Sequence, residues 1–422
     1  MRVGCIADDL TGGTDLANEF ARSGIKVIQV VGVPDAELGV VGGHDDFEVV
    51  VVALKTRTVP ADLAVAETRK ALGWLVRIGC DRFYVKYCST FDSSPAGNIG
   101  PVLETVMTQL EVPFAIACPA FPVTGRTVYR GHLFVWDRLL AESPMRNHPL
   151  TPMRDSDVVR LLQAQTQLPV SLIDERTVAR GPGELANAFR EHGNGQRSIA
   201  VIDAISDDDL VTIGQAARDL TVVSGASGLA AGVSRWFGPR TGAAPNRWTV
   251  PESGPRAVIA GSRSPATVSQ IRSMARHSPT FVIDPADIRP EREANRQLVD
   301  TVVDWARSRF TDQPVLIHPT LSDDPEPPPV PVALAGSLET TLADIAAGLV
   351  DAGARRLIVA GGETSGAVVT ALGPAALSIG PQISPGVPWT TCLGNMPRIA
   401  LVCKSGNFGD TDFFTRAWSL LP

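Results

Sequence analysis

The chain has 422 residues and a mass of 44.7 kDa, which exceeds one ordinary domain and suggests two or three. Its hydrophobic content of 44% and charged content of 20% are typical of globular proteins, and no apolar stretch reaches the ~18 residues that span a bilayer. A net charge of −7, a pI near 5.5 and the lack of a lysine or arginine run argue against nucleic acid and acidic membrane surfaces as partners.

The first residues pass directly into a strand-like segment, so we expect no signal peptide. The six cysteines form no CxxC pair, and the histidines do not cluster. We therefore expect neither a disulfide framework nor a zinc site, and a reducing cytoplasm is the expected location.

The most informative stretch of the first half lies at its very start. A short apolar run, Val3–Ala7, ends at two adjacent carboxylates, Asp8 and Asp9, and helical periodicity follows until Gly24. This pattern predicts a buried strand, a tight turn and the start of a helix. Open α/β sheets place their ligands at such junctions, although a plain glycine turn with a helix cap explains the pattern too.

Short apolar runs alternate with amphipathic segments from the N-terminus to about residue 230, which predicts an α/β domain with parallel strands. The amphipathic segments include Ala61–Ile78 and Ile99–Leu110. Residues 125–131 resemble a turn or an inserted hairpin. The predicted strands are Val3–Ala7, Val27–Val31, Val49–Leu54, Phe83–Val85, Phe114–Cys118, Ser198–Ile202 and Thr221–Val223.

Clustered glycine and proline without periodicity predict a linker at 236–255, between a domain at 1–235 and another at 256–422. The second domain should also be α/β, with each domain built on a largely parallel sheet flanked by helices and the active site in the cleft between them. We expect its proline-rich tract at 319–331 to be an exposed loop. Its predicted strands are Ala257–Ala260, Val315–His318, Leu357–Ala360 and Ile399–Cys403.

Three glycine turns follow predicted strands in the second half, at Gly261–Ser264, Gly361–Gly366 and Lys404–Gly409. Backbone N–H groups at such turns, together with a helix N-terminus, bind anions. Three of them in one domain predict a nucleotide cradle, in which Glu363 would act through a cation or a ribose hydroxyl. The P-loop GxxxxGK[ST] is absent, and no GxGxxG follows a strand.

Polar side chains of the first half also gather after predicted strands. Arg57 follows one strand, and Lys86, Ser89, Thr90 and Asp92 follow the next. Cations suit an anionic substrate, while hydroxyl and carboxyl groups suit sugar hydroxyls, so the predicted ligand is a small polyhydroxy acid. A structural ion pair between Lys86 and Asp92 is the competing interpretation. The roles of Arg126 and Arg130, around Tyr129, stay open, since a structural hairpin explains them equally well.

Seven motifs follow one another along the chain: Ile6-Ala-Asp-Asp-Leu-Thr-Gly-Gly-Thr-Asp15, Lys86-Tyr-Cys-Ser-Thr-Phe-Asp-Ser93, Gly97-Asn-Ile-Gly-Pro101, Gly125-Arg-Thr-Val-Tyr129, Gly361-Gly-Glu-Thr-Ser365, Ile383-Ser-Pro-Gly-Val-Pro-Trp389 and Lys404-Ser-Gly-Asn-Phe-Gly-Asp410. In their order and spacing they resemble the four-carbon acid sugar kinase family over nearly the whole chain. The Lys86–Ser93 motif is similar to the form found in the 3-oxo-tetronate kinase branch. Threonate and erythronate kinases more often carry Lys-x-Asp-Ser-Thr there. The departures are Gly13, where many relatives have alanine, and the tract near Pro325.

This resemblance implies transfer of the γ-phosphate of ATP to the 4-hydroxyl of a 3-oxo-tetronate of the erythronate series, with Mg²⁺ bridging the phosphates. The catalytic candidates are Asp8 and Asp9, either of which would orient or deprotonate the hydroxyl. The metal ligands are left open. The family's ATP contacts carry over to Ser262, Gly361, Gly362, Glu363, Thr364 and Gly406. The substrate-binding candidates are Thr11, Arg57, Lys86, Ser89, Thr90 and Asp92, with Arg57 and Lys86 on the substrate carboxylate.

Three alternatives are kept. A threonate or erythronate 4-kinase would share the family and the reaction. A phosphatase of the haloacid dehalogenase type needs an acid two residues after its nucleophile, but Leu10 stands there after Asp8. The third alternative is a sugar-acid sensor regulated by nucleotide, but we find no DNA-binding helix pair in the sequence that would support it. We expect the partners to be a small sugar acid and ATP, and whether the chain forms a homo-oligomer is left open.

Overall fold

The computed structural model describes residues 1–35, 47–148, 151–238, 248, 253–310, 313–321 and 332–421. The chain divides into two compact units, Met1–Asn246 and Arg247–Pro422. Both units are α/β, as the apolar runs predict. In the described ranges, no helix combines the length and apolar character needed to cross a membrane.

The first unit is built on eight parallel strands in the order β2-β3-β1-β4-β11-β5-β10-β9. Residues of the inner strands are almost all buried, because helices cover both faces of a parallel sheet. Its strands are β1 (Val3–Ala7), β2 (Val27–Val31), β3 (Val49–Ala53), β4 (Arg82–Lys86), β5 (Phe114–Cys118), β9 (Val170–Ile173), β10 (Ser198–Ile202) and β11 (Val222–Gly225).

A small antiparallel sheet is inserted after β5, in the order β6 (Arg126–Tyr129), β7 (His132–Val135) and β8 (Arg138–Leu139). The hairpin interpretation of residues 125–131 is therefore confirmed. The helices of this unit are α1 (Leu10–Arg22), α2 (Ala61–Arg77), α3 (Ile99–Gln109), α4 (Val158–Gln163), α5 (Glu175–Val178), α6 (Pro182–Gly193), α7 (Asp207–Ala216) and α8 (Ala230–Val233).

The second unit contains seven strands in the order β13-β14-β12-β15-β18-β17-β16. The first five run parallel, and the last two form an antiparallel extension. The strands are β12 (Arg256–Ala260), β13 (Thr280–Ile283), β14 (Val315–Pro319), β15 (Arg356–Ala360), β16 (Ala376–Ser384), β17 (Val387–Leu393) and β18 (Ala400–Lys404). The helices are α9 (Pro265–Ala275), α10 (Arg296–Arg307), α11 (Val332–Asp351), α12 (Gly362–Leu372) and α13 (Phe413–Arg416).

Most of the predicted linker and proline-rich loop lies outside the described residues, which leave out 239–247, 249–252 and 322–331. At the near end of the linker, Trp236 is buried in the first unit, where its Nε1 donates to the carbonyl of Gly214 at 2.7 Å. Trp248 packs against the core of the second unit. The linker bounds remain a prediction.

Candidate functional site

Three neighbouring strands of the first unit bring the predicted acid-binding residues to one edge. Strand β1 lies between β3 and β4, and Ala7 stands opposite Ala53 and Lys86 in the register. Asp8 therefore emerges beside the end of β4 and beside the loop that carries Arg57. Strands β2 and β3 lie on one side of β1 and β4 lies on the other. The strand order therefore reverses at β1, and such a switch point is the usual ligand position of an open α/β sheet.

Arg57 links the two adjacent carboxylates. Its Nε and Nη2 each donate to Asp8 at 2.8 Å, and Nη2 also donates to Oδ1 of Asp9 at 2.6 Å. Such a two-pronged contact fixes the planar guanidinium more firmly than a single hydrogen bond could. Its Nη1 has no hydrogen bond to any described residue.

Asp9 is the N-cap of α1 and is held by the turn that follows it. It accepts a hydrogen bond from the N–H of Gly12 at 3.0 Å and another from Oγ1 of Thr11 at 2.7 Å. Burial by itself would raise the pKa of Asp9, but the charges of Arg57 and Lys86 and these hydrogen bonds outweigh it and lower the pKa. Asp9 is therefore a weak base, and its carboxylate caps the N-terminus of α1.

Asp8 has the opposite balance. Burial raises its pKa above the ordinary value, and Arg57 offsets only part of that rise. A carboxylate with a raised pKa accepts protons better at neutral pH. Of the two neighbours, Asp8 is thus the stronger base.

Gly12 is the point at which these side chains converge. A Cβ atom there would collide with the Asp9 carboxylate and would lie 3.0 Å from Nζ of Lys86 and 3.4 Å from Nη2 of Arg57. Only glycine leaves room for a carboxylate and two cations around one backbone position. Lys86 itself is 4% exposed and donates to the carbonyl of Tyr87 at 2.8 Å.

The loop after β4 presents the remaining predicted residues. Oγ1 of Thr90 donates to Oδ1 of Asp92 at 2.5 Å, while Ser89 is partly exposed. The buried Phe91 between them has a φ of 50°, which is a strained conformation for a bulky residue. Lys86 and Asp92 form no ion pair in the part of the chain that the structure describes, so that competing interpretation is wrong.

Two residues of this region were not predicted as site residues. Nδ2 of Asn98 donates to the carbonyls of Thr56 at 2.7 Å and Val59 at 3.1 Å, and thereby holds the loop that carries Arg57. Arg126 extends the set of cations, since it lies within electrostatic range of Asp92. Burial lowers the pKa of Arg126, and its Nε has no hydrogen-bond partner among the described residues. The motifs at 97–101 and 125–129 were the available signals, but neither reveals these contacts.

A cavity of about 20 Å³ is lined in part by Asp8. This volume suffices for one water molecule, and the lining offers several polar partners for it. The polar residues of the lining are Asp8, Thr56, Thr68, Lys86 and Asn98.

In the second unit, the three glycine turns follow three adjacent strands. Ala260, Ala360 and Lys404 are aligned in the register at the ends of β12, β15 and β18. The turns therefore lie side by side, as a nucleotide cradle requires. Gly361, with a φ of 127°, directly precedes α12, so the helix N-terminus adds its positive end to this edge.

The turns also contact one another closely. Gly261 and Gly361 both abut the side chain of Thr364, and a Cβ atom at Gly406 would collide with Oγ of Ser262. Oγ of Ser264 donates to the carbonyl of Gly406 at 2.6 Å. Predicted ATP-binding residues from all three turns are thus brought together. Glu363 lies at the exposed start of α12.

No described group of three or more His, Cys, Asp or Glu side chains is arranged to hold a metal ion. Mg²⁺ in nucleotide enzymes is usually held by one or two carboxylates, the substrate phosphates and water. A metal shared with the substrate phosphates needs only one or two protein carboxylates. Glu363, at the start of α12, is the carboxylate nearest in sequence to the turn after β15.

Comparisons with known proteins agree with both halves of this description. The family model of a sugar-binding N-terminal domain matches residues 3–233, and that of a nucleotide-binding C-terminal domain matches residues 257–414. Curated proteins named 3-oxo-tetronate kinase from Burkholderia multivorans and Cupriavidus necator are 48% and 47% identical to this chain. Each alignment covers 98% of this chain and 96% of the relative.

Solved structures match over the same extent. One from Salmonella typhimurium LT2, which carries a provisional tRNA synthase name, has a TM-score of 0.85 at 38% identity and covers 99% of this chain and 98% of its own. One from Haemophilus influenzae has a TM-score of 0.78 at 35% identity, with 99% and 100% covered. A curated 3-oxo-tetronate kinase from the same Salmonella strain is also 38% identical, over 99% of this chain. The chain therefore belongs to the four-carbon acid sugar kinase family, where it groups with the 3-oxo-tetronate kinases.

Proposed function

We propose that this protein transfers the γ-phosphate of ATP to the 4-hydroxyl of a 3-oxo-tetronate and releases ADP. The observation that carries this proposal is identity of 46–48% to four curated 3-oxo-tetronate kinases, each aligned over 98% of the chain. The site chemistry supports it, because one sheet edge offers cations, hydroxyls and a base, and another offers an anion cradle.

In the acid site, Asp8 is the general base. The O4–Pγ bond forms while the bond from Pγ to the bridging oxygen of ADP breaks, and the O4 proton passes to Asp8. Asp9 caps α1 and, with Arg57, holds Asp8 in place. Such positioning contributes because a loosely held base would have to be oriented during each turnover.

The substrate carboxylate is held by Lys86 together with the free Nη1 of Arg57, and Arg126 adds a third positive charge nearby. Ser89, Thr90, Asp92 and Thr11 serve the hydroxyl and carbonyl oxygens. Hydroxyl and carboxyl side chains suit these roles because they donate or accept according to the partner.

In the nucleotide site, backbone N–H groups of the three turns bind the phosphates. The contacts come from Ser262, Gly361, Gly362, Thr364 and Gly406. Glu363 would hold Mg²⁺ on the phosphates, where the metal supplies neutralisation of the charge on the transferred group. Donor and acceptor have to meet in line for transfer, and closure of the two units around them remains part of the proposal.

A substrate panel tests the proposal and its main alternative. ADP release should be measured with the two C2 enantiomers of 3-oxo-tetronate, with erythronate and with threonate at equal concentrations. We expect kcat/KM for a 3-oxo acid to exceed that for threonate and erythronate by at least about 100-fold, because a site built for a ketone leaves polar groups unpaired against an alcohol. If threonate proves the best substrate, the assignment to the 3-oxo-tetronate kinase branch is wrong, while the assignment to the family stands.

A further inference from the structure

A lysine beneath the third glycine turn is not assigned a role by the proposed reaction. Lys404 ends β18 and is fully buried. Its Nζ lies 2.9 Å from the carbonyl oxygen of Ser405, 3.0 Å from those of Gly406 and Phe408, and 3.2 Å from Oγ1 of Thr267. The ammonium is thus surrounded by three carbonyl oxygens of one short loop and by the hydroxyl of Thr267 in α9.

These oxygens are all uncharged. Lys404 has no carboxylate partner among the described ion pairs, and the ring of Phe413 lies 5.9 Å from Nζ. A buried charge without a counter-ion is costly, so its retention calls for a reason beyond packing. An anion bound on the other side of the loop would supply the missing negative charge.

The backbone of the loop is oriented accordingly. Besides Lys404, the side chain of Gln270 donates to the carbonyls of Phe408, Gly409 and Asp410 at 2.9–3.1 Å. With its carbonyls drawn inward, the loop leaves the N–H groups of Ser405, Gly406 and Asn407 without a described acceptor. Consecutive free N–H groups form a concave anion site.

We propose that Lys404 is a positioning residue for the nucleotide: its ammonium acts as an internal cation that holds the 405–409 loop with its N–H groups toward the phosphates and adds positive charge behind them. This inference rests on the proposed function, since it assigns the loop to ATP. Lys404 does not touch the reacting atoms and acts through the loop.

The charge state of Lys404 provides a signature of this role. Burial lowers its pKa to about 7. Bound phosphates favour the ammonium form, so ATP binding above pH 7 should take up a proton, and affinity should fall as the pH rises from 7 to 9. Other titratable or charged residues of the segments that contact the loop are Cys403, whose pKa burial raises to about 12, Arg263, Glu363, Asp410, Asp412 and Arg416.

The test compares Lys404→Met with the wild type. Methionine keeps the length and apolar stem but removes the charge and the donors. We expect the Kd for Mg²⁺–ATP at pH 7 to rise by about 10-fold or more, which is the effect of losing hydrogen bonds to a charged group, with the KM for the acid changed less than about twofold. Lys70→Met removes an exposed lysine on α2 and should change neither value.

Calorimetry of wild-type ATP binding at pH 8, in buffers of different ionisation enthalpy, gives the second readout. Proton uptake on ATP binding by the wild type that is absent in Lys404→Met supports the proposal. If the variant does not fold, proton uptake by the wild type supports the proposal and its absence overturns it. The proposal is overturned if the Kd of Lys404→Met lies within about twofold of the wild-type value, or if that Kd rises while the wild type takes up no proton on binding ATP. Failure of the wild type to bind ATP would instead refute the proposed function.

Discussion

Asp8 and Asp9 are adjacent in the chain, yet their environments give them different chemistry. Asp9 is held by the helix it caps, and its pKa is lowered, whereas burial raises the pKa of Asp8. The sequence predicts a pair of carboxylates at a strand end but not this division. Hydrogen bonds from Thr11 and Gly12 favour the charged form of Asp9 only, whereas Arg57 contacts both carboxylates. Arg57 is 48 and 49 residues away and enters only through the register of β1 and β3.

Replacement of Asp8 by asparagine should separate the two roles. We expect Asp8→Asn to lower kcat by about 10²–10⁴-fold, the usual contribution of a general base. Asp9→Asn keeps a capping side chain and should lower kcat much less. Steady-state kinetics of both variants check this, and the assignment of Asp8 fails if Asp9→Asn is the more damaging change.

Asp15, on α1, is a buried acid close to the site. It is 7% exposed, and its Oδ1 has no hydrogen-bond partner among the described residues. Burial raises its pKa from 3.8 to about 7, with the charge of Lys86 opposing the rise. Because the folded-state pKa is raised, ionisation costs the folded state stability, and the cost grows as the pH rises from about 4 to about 7.

Asp15→Asn should therefore stabilise the protein at alkaline pH. At 1.36 kcal/mol for each pKa unit, the gain at pH 8 is at most about 4 kcal/mol, and it should shrink toward pH 4, where Asp15 is protonated in both states. Urea unfolding at pH 8 and pH 4.5 measures the difference. The exposed Asp219→Asn is the control. A gain that is equal at both pH values would contradict this account.

At the scale of elements, the strands with continuous apolar runs were predictable, while the strands without such a run were not. Val3–Ala7 and Phe114–Cys118 agree with the structure residue for residue. β9 and β13, at the outer edges, are only partly buried and carry no comparable run. β16 and β17 contain Pro381 and Pro388, which argue against a central strand, and they form the antiparallel extension instead.

The turn after β1 offers a direct test of the converging geometry. Gly12→Ala places a Cβ atom into the Asp9 carboxylate and against Lys86. We expect kcat/KM for the acid to fall by at least about 100-fold, since displacement of catalytic groups by about 1 Å has this effect, while the Kd for ATP stays near the wild-type value. Gly73→Ala, in α2, is the matched control, because its nearest neighbour is 3.9 Å away. Equal effects of the two substitutions would refute the convergence on Gly12.

At the scale of the whole molecule, the sequence predicts the α/β class and the kinase family, and the structure and the comparisons confirm both. The division of labour is also visible in the motifs, since the glycine turns and the carboxylate-bearing turn lie in different halves of the chain. What the sequence does not predict is the packing around single groups, such as the oxygens that enclose Lys404 or the hold of Asn98 on the Arg57 loop. The Asn98 contacts join residues 42 and 39 positions apart, and the enclosure of Lys404 depends on the fold of the 405–409 loop and on Thr267, 137 residues away.

The measurement that tests the central claim most directly is identification of the product. The protein should be incubated with Mg²⁺, ATP and a 3-oxo-tetronate, and the product analysed by phosphorus–proton NMR correlation alongside ADP quantification. The account predicts one ADP for each phosphorylated acid, with the phosphorus coupled to the two methylene protons at C4. Phosphate coupled to the C2 proton, or ADP formation that does not depend on the acid, would contradict it.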